Sequence, residues 1–240
     1  MRLSKIMATL MFLSIAGMVV SIPGVYASPY SFPTHSIKAG DIISFQDGYG
    51  YGNGGEFKVY DDKGAFLYYS FCVETDEYIS FGTGFKVASI TKEATQGGSG
   101  GPSPDPIDPK TAYLYYSFSM GTLSGYDYGL TSQHEKDAQS LQIAIWFIEQ
   151  ELGSIDTEAG LLAYNPKAWQ FYDAAKTAGW RDTGSVWVLT LVDRYTGEVK
   201  QDQLVLVPEP STLLFLGTGL LGLGFWGIRR SRKGWISKKS

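Results

Sequence analysis

The sequence has one cysteine, Cys72, and two histidines, His35 and His134, in 240 residues. One cysteine cannot close a disulfide within its own chain, so no internal disulfide stabilises the fold. Two histidines give a cysteine hydrolase little choice of base, and no protease signature flanks the cysteine. Any nucleophilic chemistry that depends on a thiol therefore centres on Cys72.

Basic residues are scarce between residues 28 and 207, which hold 12 Lys and Arg against 23 Asp and Glu. Eight of the 20 basic residues lie in the two ends of the chain. This acidic balance argues against binding to nucleic acid or to an anionic membrane surface. We therefore expect no nucleic-acid partner, and the motifs of this region predict neither a metal ion nor a cofactor.

The N-terminus has the pattern of a secretory signal peptide. Arg2 and Lys5 precede an apolar run from Ile6 to Val20, helix breakers follow at residues 23 and 24, and a cleavage site fits at Ala27. This order of charge, apolar run and cleavage site is typical of export. We predict a signal peptide at residues 1–27.

The C-terminus combines an apolar segment with a basic cluster. Leu213 to Ile228 is uncharged, and Arg229 begins the cluster. Positive residues favour the cytoplasmic side, so the pattern predicts a transmembrane segment at 213–228 with a cytoplasmic C-terminus. Together with Pro208-Glu209-Pro210, this tail resembles the PEP-CTERM sorting signal of Gram-negative envelope proteins. The resemblance implies that an exosortase-like enzyme cleaves the 208–240 signal near Pro208, Glu209 and Pro210, after transient anchoring in the inner membrane, during sorting to the surface or an exopolysaccharide matrix.

The sequence pattern of residues 28–207 predicts one extracellular α+β domain. An Asp- and Gly-containing turn at 61–64 between alternating apolar runs predicts a hairpin across 57–74, with further strands near 36–46, 84–90 and 185–206. The capping residues Asp108, Ser132 and Asn165 predict three helices between the last two of these strand regions. The order of elements indicates a β-sheet or barrel with an inserted helical subdomain at about 108–180.

Cys72 and Gln142 are the residues whose placement needs an explanation. Strand alternation puts Cys72 on the same, more polar face as Ser70 and Glu74. Gln142 lies beside the apolar stripe of its helix, where an unpaired amide costs about 1–3 kcal/mol. An edge-strand hydrogen bond or a boundary position that reaches solvent would satisfy this amide. Alternatively, a thiolate can attack a glutamine carbonyl, expel ammonia and leave a thioester.

Two segments carry a second resemblance. Phe71-Cys72-Val73-Glu74 and Gln142-Ile143-Ala144-Ile145-Trp146 together resemble the Cys–Gln thioester domain of bacterial surface adhesins, although Leu141 stands where that family often has Thr. The resemblance implies a Cys72–Gln142 thioester near Phe71, Glu74, Ile145 and Trp146, and Glu149 could assist proton transfer. It also implies one-time covalent capture of an amine or hydroxyl on a surface protein or polysaccharide, which is not enzymatic turnover.

Other interpretations remain open. His134 could approach Cys72 as the base of a hydrolase, but we expect it to be an ordinary exposed residue. Glu74, Asp76 and Glu77 could form a calcium site, but the sequence has no spaced ligand loop there, and a solvated turn explains them better. The Gly- and Tyr-rich segments at 48–52 and 125–129 could be contact loops of a non-covalent matrix- or carbohydrate-binding module with a free Cys72.

Overall fold

The computed structural model describes residues 37–49, 54–95 and 102–207. The strands in these ranges are β1 (Ile42–Asp47), β2 (Phe57–Asp61), β3 (Phe66–Ser70), β4 (Gly84–Thr91), β5 (Glu93–Ala94), β6 (Asp105–Pro106), β7 (Val186–Asp193) and β8 (Val199–Leu206). The helices are α1 (Pro109–Ser119), α2 (Ser132–Ile148), α3 (Glu158–Tyr164) and α4 (Pro166–Ala178). The predicted mixture of helices and strands is confirmed.

Six strands form one antiparallel sheet in the order β3-β2-β1-β4-β7-β8. Strands β5 and β6 form a separate two-stranded ladder. The neighbours β4 and β7 are separated in the chain by all four helices. The helices therefore form a single insertion between two strands that are neighbours in the sheet.

The two edges of this sheet meet next to Cys72. The N–H of Val73 donates to the carbonyl of Asp202 at 3.1 Å, and the N–H of Leu204 donates to the carbonyl of Phe71 at 3.0 Å. Cys72 forms an isolated antiparallel bridge with Gln203. These bonds satisfy backbone groups that an open edge would leave unpaired, and they fix the backbone on both sides of the thiol.

Two hydrophobic clusters lie on opposite sides of this junction. One packs the inside of the sheet and contains Cys72, Tyr68 and Phe45. The other lies between the sheet and the helices and contains Phe71 and Val73. Successive residues of the 71–73 segment therefore point into different clusters, as extended backbone requires.

Helix termini follow most of the predicted capping residues. Asp108 caps α1, while Asn165 caps α4 and Gly179 ends it with φ +64°. The expectation that Ser132 caps α2 is wrong, because the Thr131 hydroxyl accepts from the N–H groups of Gln133 and His134. Helix α2 also ends at Ile148 rather than near residue 153, and the short helix α3, which the sequence pattern does not predict, follows it.

The predicted terminal signals lie outside the described residues. This applies to the signal peptide at 1–27, the sorting motif Pro208-Glu209-Pro210 and the segment at 213–228. Among the described residues, no helix combines the length and apolarity needed to cross a membrane.

Candidate functional site

Cys72 and Gln142 are in direct contact. The Sγ atom of Cys72 lies 3.1 Å from Oε1 of Gln142, and the Nε2 group of Gln142 donates to the carbonyl of Cys72 at 2.8 Å. The sheet junction supplies the cysteine, and the middle of α2 supplies the glutamine. The buried amide is therefore satisfied by the segment around Cys72 rather than by solvent.

Two backbone N–H groups converge on the carbonyl oxygen of Gln142. Those of Gly55 and Cys72 each donate to Oε1 at 3.1 Å. Both donors withdraw electron density from the side-chain carbonyl, and both would stabilise a negative charge on its oxygen. The arrangement has the form of an oxyanion hole, and the Cys72 thiol lies beside the same oxygen.

Gly54 lets the backbone donor approach α2 closely. A Cβ atom at this position would lie 2.3 Å from Cη2 of Trp146 and 3.0 Å from Cγ of Gln142. Such distances exclude any side chain unless the indole moves. Trp146 is half-buried against the sheet cluster that holds Cys72.

The environment of Cys72 is apolar, contrary to the expected polar face. The residue is completely buried, and Tyr68, two positions before Ser70, belongs to the same hydrophobic cluster. Both faces of this strand are buried, so the alternation of side chains does not distinguish a solvent-exposed face from a buried one.

Burial raises the pKa of the Cys72 thiol far above its usual range. The N–H groups of Gly55 and of Cys72 itself oppose this shift, while the carboxylate of Glu74 adds to it. The resting group is consequently the thiol, and the thiolate has to form during any reaction rather than before it.

Glu74 lies in a buried acidic group rather than in a solvated turn. Burial and the carboxylate of Asp202 raise the pKa of Glu74 to about 8. Burial likewise raises the pKa of Asp202 to about 7, although the Thr95 N–H opposes the change. The Oε1 atom of Glu74 and the Oδ1 atom of Asp202 have no hydrogen-bond partner among the described residues. Within those residues, no group of acidic, histidine and cysteine side chains could hold a metal ion.

The other predicted neighbours are distributed over the helical side of the site. Phe71 packs edge-on against Phe118, and Ile145 lies in the same helical cluster. Glu149 is buried and accepts from the N–H of Asp108 at 3.2 Å, which places it at the start of α1. Burial raises the pKa of Glu149 to about 8.

His134 is buried, so the expectation of an exposed histidine is wrong. Its Nε2 atom lies 2.8 Å from Oε2 of Glu56, and its Nδ1 atom lies 2.7 Å from the carbonyl of Gly129. Glu56 is fully buried and also accepts from the Tyr126 hydroxyl at 2.6 Å. Nothing in the sequence pattern predicts a role for Glu56, because it ends a Gly-rich segment that has the composition of a turn.

The tyrosines of the segment at 125–129 are not exposed contact residues. Tyr126 is buried and bonds to Glu56, while the Tyr128 hydroxyl donates to the carbonyl of Phe118 at 3.1 Å. In the other Gly- and Tyr-rich segment, Tyr49 packs on His134 with ring centroids 4.1 Å apart, and residues 50–52 lie outside the described ranges.

Comparison with known proteins identifies one segment of the chain. The PEP-CTERM protein-sorting motif matches residues 206–233, which confirms the sorting signal that the C-terminal sequence predicts. Neither a curated protein nor a solved structure matches the chain. The chain thus carries a PEP-CTERM sorting motif, which marks it as an exported protein sorted to the cell envelope by an exosortase-like enzyme.

Proposed function

We propose that Cys72 and Gln142 form an internal thioester, through which the exported protein covalently captures a nucleophile on a partner surface. The observation that carries the proposal is the convergence on Gln142 Oε1 of one thiol and two backbone N–H donors. The short segments around Cys72 and Gln142 resemble those of thioester adhesins, and this resemblance agrees with the proposal.

The bond would form by attack of Cys72 Sγ on the side-chain carbonyl carbon of Gln142. The C–S bond forms, the C–Nε2 bond breaks, and the thiol proton leaves with the nitrogen as ammonia. The reaction consumes no oxidant and no cofactor. Because burial keeps the thiol protonated, proton transfer accompanies the attack.

The oxyanion hole would stabilise the negative charge that develops on Oε1 of Gln142 during the attack. During attack the carbonyl oxygen becomes negative, and the N–H groups of Gly55 and Cys72 already point at it. A preorganised donor of this kind contributes about 100- to 1000-fold to the rate of comparable acyl transfers. The same donors keep the finished thioester carbonyl electrophilic.

Capture would reverse the roles of the sulfur and the nitrogen. An amine or hydroxyl of the partner attacks the Gln142 acyl carbon, the C–S bond breaks, and the proton of the nucleophile passes to Sγ. The partner is then joined through an amide or ester, and Cys72 is a free thiol. Each molecule reacts once, so the protein is not a turnover enzyme.

Burial of the pair explains how a reactive bond could survive outside the cell. Cys72 is 0% exposed and Gln142 is 2% exposed. The apolar cluster and Trp146 exclude water from the bond until a partner surface gives access to it. The partner class is a surface protein or a polysaccharide that carries amines or hydroxyls.

The cellular setting follows the terminal signals. Residues 1–27 direct export, and residues 213–228 hold the precursor in the inner membrane of a Gram-negative cell with its C-terminus in the cytoplasm. Cleavage near Pro208 then releases an α+β domain, in which the curled sheet and the inserted helices meet at Cys72. The released domain resides on the cell surface or in the extracellular matrix.

Methylamine, a small amine nucleophile, tests the acyl transfer when it is added in denaturant, which opens the buried site. The exported protein should gain one methylamine in place of the lost ammonia, on the peptide that contains Gln142, and expose one new thiol. Cys72→Ala should prevent the adduct, and Gln170→Glu, an exposed change on α4, should not. An adduct that persists in Cys72→Ala, or no adduct in the unsubstituted protein in denaturant, would contradict thioester-mediated capture.

A non-covalent matrix-binding module with a free Cys72 is the second candidate function. The exposed rings of Tyr78 and Phe81, which are 59% and 49% accessible, are the observation that favours it. Polysaccharide binding that persists in Cys72→Ala and disappears in a Tyr78→Ala/Phe81→Ala variant would select this function over capture.

A further inference from the structure

We propose that the buried pair Glu56–His134 positions the Gly55 N–H, so that it completes the oxyanion hole at Gln142. This inference rests on the proposed thioester chemistry, but its structural part can be measured without a thioester. It assigns a role to two buried ionisable residues that the reaction itself does not use.

The residues of the pair sit beside the groups that they would position. Glu56 directly follows Gly55, whose N–H donates to Oε1 of Gln142. His134 lies on α2, the same helix that carries Gln142. The segment 54–56 and α2 are therefore joined at successive points, by the Gly54 contact with Trp146, by the Gly55 hydrogen bond and by the Glu56–His134 pair.

The hydrogen bonds of His134 fix where its protons are. The carbonyl of Gly129 can only accept, so Nδ1 must carry a hydrogen and donate. Nε2 then either donates to the Glu56 carboxylate or accepts from the protonated carboxyl group. In both arrangements the pair shares one proton and stays bonded, which is what a fixed structural link requires.

The surroundings hold Glu56 in one orientation. Its Oε2 atom accepts from the Tyr126 hydroxyl at 2.6 Å as well as facing His134 at 2.8 Å. Tyr49 packs on the imidazole from another side. At Gly48, a Cβ atom would lie 1.9 Å from the Glu56 carbonyl oxygen, so the backbone of Gly48 packs closely against the backbone of Glu56.

Burying a pair of ionisable groups gains the fold little stability, because desolvation offsets most of their attraction. An apolar contact of similar volume would stabilise the fold at least as well. The pair adds orientation, because a hydrogen bond fixes the relative position of the Glu56 carboxyl group and the His134 ring more narrowly than an apolar contact does. The N–H of Gly55 needs this support, because it comes from a Gly-rich segment, whereas the N–H of Cys72 is already held by the sheet junction.

Amide hydrogen exchange tests the positioning in a Cys72→Ala background, in which no thioester can form. Glu56→Ala should accelerate exchange at Gly55 by about tenfold, because its acceptor contact becomes intermittent. The amide at position 72, which donates to the same oxygen, should exchange as before. Glu56→Gln should restore protection at Gly55, because its amide can still bond to Tyr126 and to neutral His134.

Thioester formation supplies the second readout, in chains that keep Cys72. Glu56→Ala and His134→Ala should slow the loss of ammonia by about tenfold or more, whereas removal of a whole donor costs roughly 100- to 1000-fold. Glu158→Gln, which changes an exposed glutamate paired with Lys176, is the matched control and should have no effect. If Glu56→Ala does not fold, Tyr126→Phe removes one hydroxyl donor and should accelerate Gly55 exchange about fivefold.

The outcomes separate this inference from the proposed function. Unchanged exchange at Gly55, or equal acceleration at Gly55 and position 72, would overturn the positioning role. Absence of the thioester from the native protein would instead overturn the proposed function, while the exchange experiment would still decide whether the pair positions Gly55.

Discussion

Gln142 Oε1 lies 3.1 Å from the Sγ atom of Cys72, although 70 positions separate the two residues. The contact exists because two parts of the fold converge there. The sheet edges close around Cys72, and α2 places its one buried glutamine against that closure. The site is therefore a product of the tertiary fold, and changes at its supporting residues should affect stability and reactivity separately.

Gly54→Ala should destabilise the protein by about 1–3 kcal/mol, because the added methyl group overlaps the Trp146 ring. The free energy of unfolding in denaturant measures this effect. Gly160→Ala is the control, since a Cβ atom there would meet only the Thr157 hydroxyl at 3.0 Å and a side-chain methyl of Ile155. In the double variant Gly54→Ala/Trp146→Phe, the smaller ring should recover part of the loss. Equal effects at Gly54 and Gly160 would contradict the close approach.

Trp146→Phe should shorten the lifetime of the proposed thioester. The smaller ring leaves a gap beside Cys72 through which water can enter and hydrolyse the bond. The conversion of the ammonia-loss form into the hydrolysed form, followed by mass spectrometry, measures this lifetime. Trp180→Phe, in which the changed ring packs against Tyr113 and Tyr116 on the helical side, should leave it unchanged. A thioester that is as stable in Trp146→Phe as in the native protein would show that Trp146 does not shield it.

Stability should fall as the pH rises from about 5 to about 8. The pKa of Glu74 is raised to about 8 and that of Asp202 to about 7 in the folded protein, so the folded state holds protons that the unfolded state has already released. The stabilisation is complete below the ordinary carboxyl pKa and is lost as the pH passes through the raised values. Denaturant unfolding at several pH values measures this slope.

Glu74→Gln tests the origin of that slope. The neutral amide cannot ionise, and it can donate towards the unpartnered Oδ1 of Asp202, so the variant should be less sensitive to pH and more stable near pH 8. Glu158→Gln on the surface is the comparison. A slope that Glu74→Gln leaves unaltered would place the titrating groups elsewhere, for example at Glu149.

Replacing Pro208, Glu209 and Pro210 by alanine should block tail processing, because these residues lie within the matched sorting motif. We expect the precursor to accumulate in the membrane fraction with its C-terminal peptides intact, as measured by mass spectrometry. Tyr195→Ala, in the exposed turn between β7 and β8, should be processed normally. Normal release of the triple variant would mean that this motif does not direct cleavage.

The local parts of the fold were predictable because their signals are local. Asp108 before Pro109 and Asn165 before Pro166 predict helix starts from adjacent residues, and both helices begin there. The choice between Thr131 and Ser132 could not be settled by spacing, since both hydroxyls stand next to the same helix. Helix α3 is only seven residues long and has a weak sequence pattern.

The site was only partly predictable, for a different reason. The strand pattern around Cys72 and the apolar stripe beside Gln142 drew attention to these two residues, but the second N–H donor to Oε1 comes from Gly55, which no motif marks. The buried partner of His134 is Glu56, which lies 78 positions away in the chain. The residues next to His134 in the sequence therefore do not indicate that it is buried. Alternation around Cys72 failed because the sheet closes there and covers both faces.

The intact mass of the exported, processed protein tests the central claim most directly. We predict a mass lower by one ammonia than that of the processed sequence, no titratable thiol under denaturing conditions, and a linked peptide pair containing Cys72 and Gln142. Cys72→Ala and Gln142→Ala should each have the full mass expected for their sequence. A native protein with an unmodified mass and one freely titratable thiol would contradict the account.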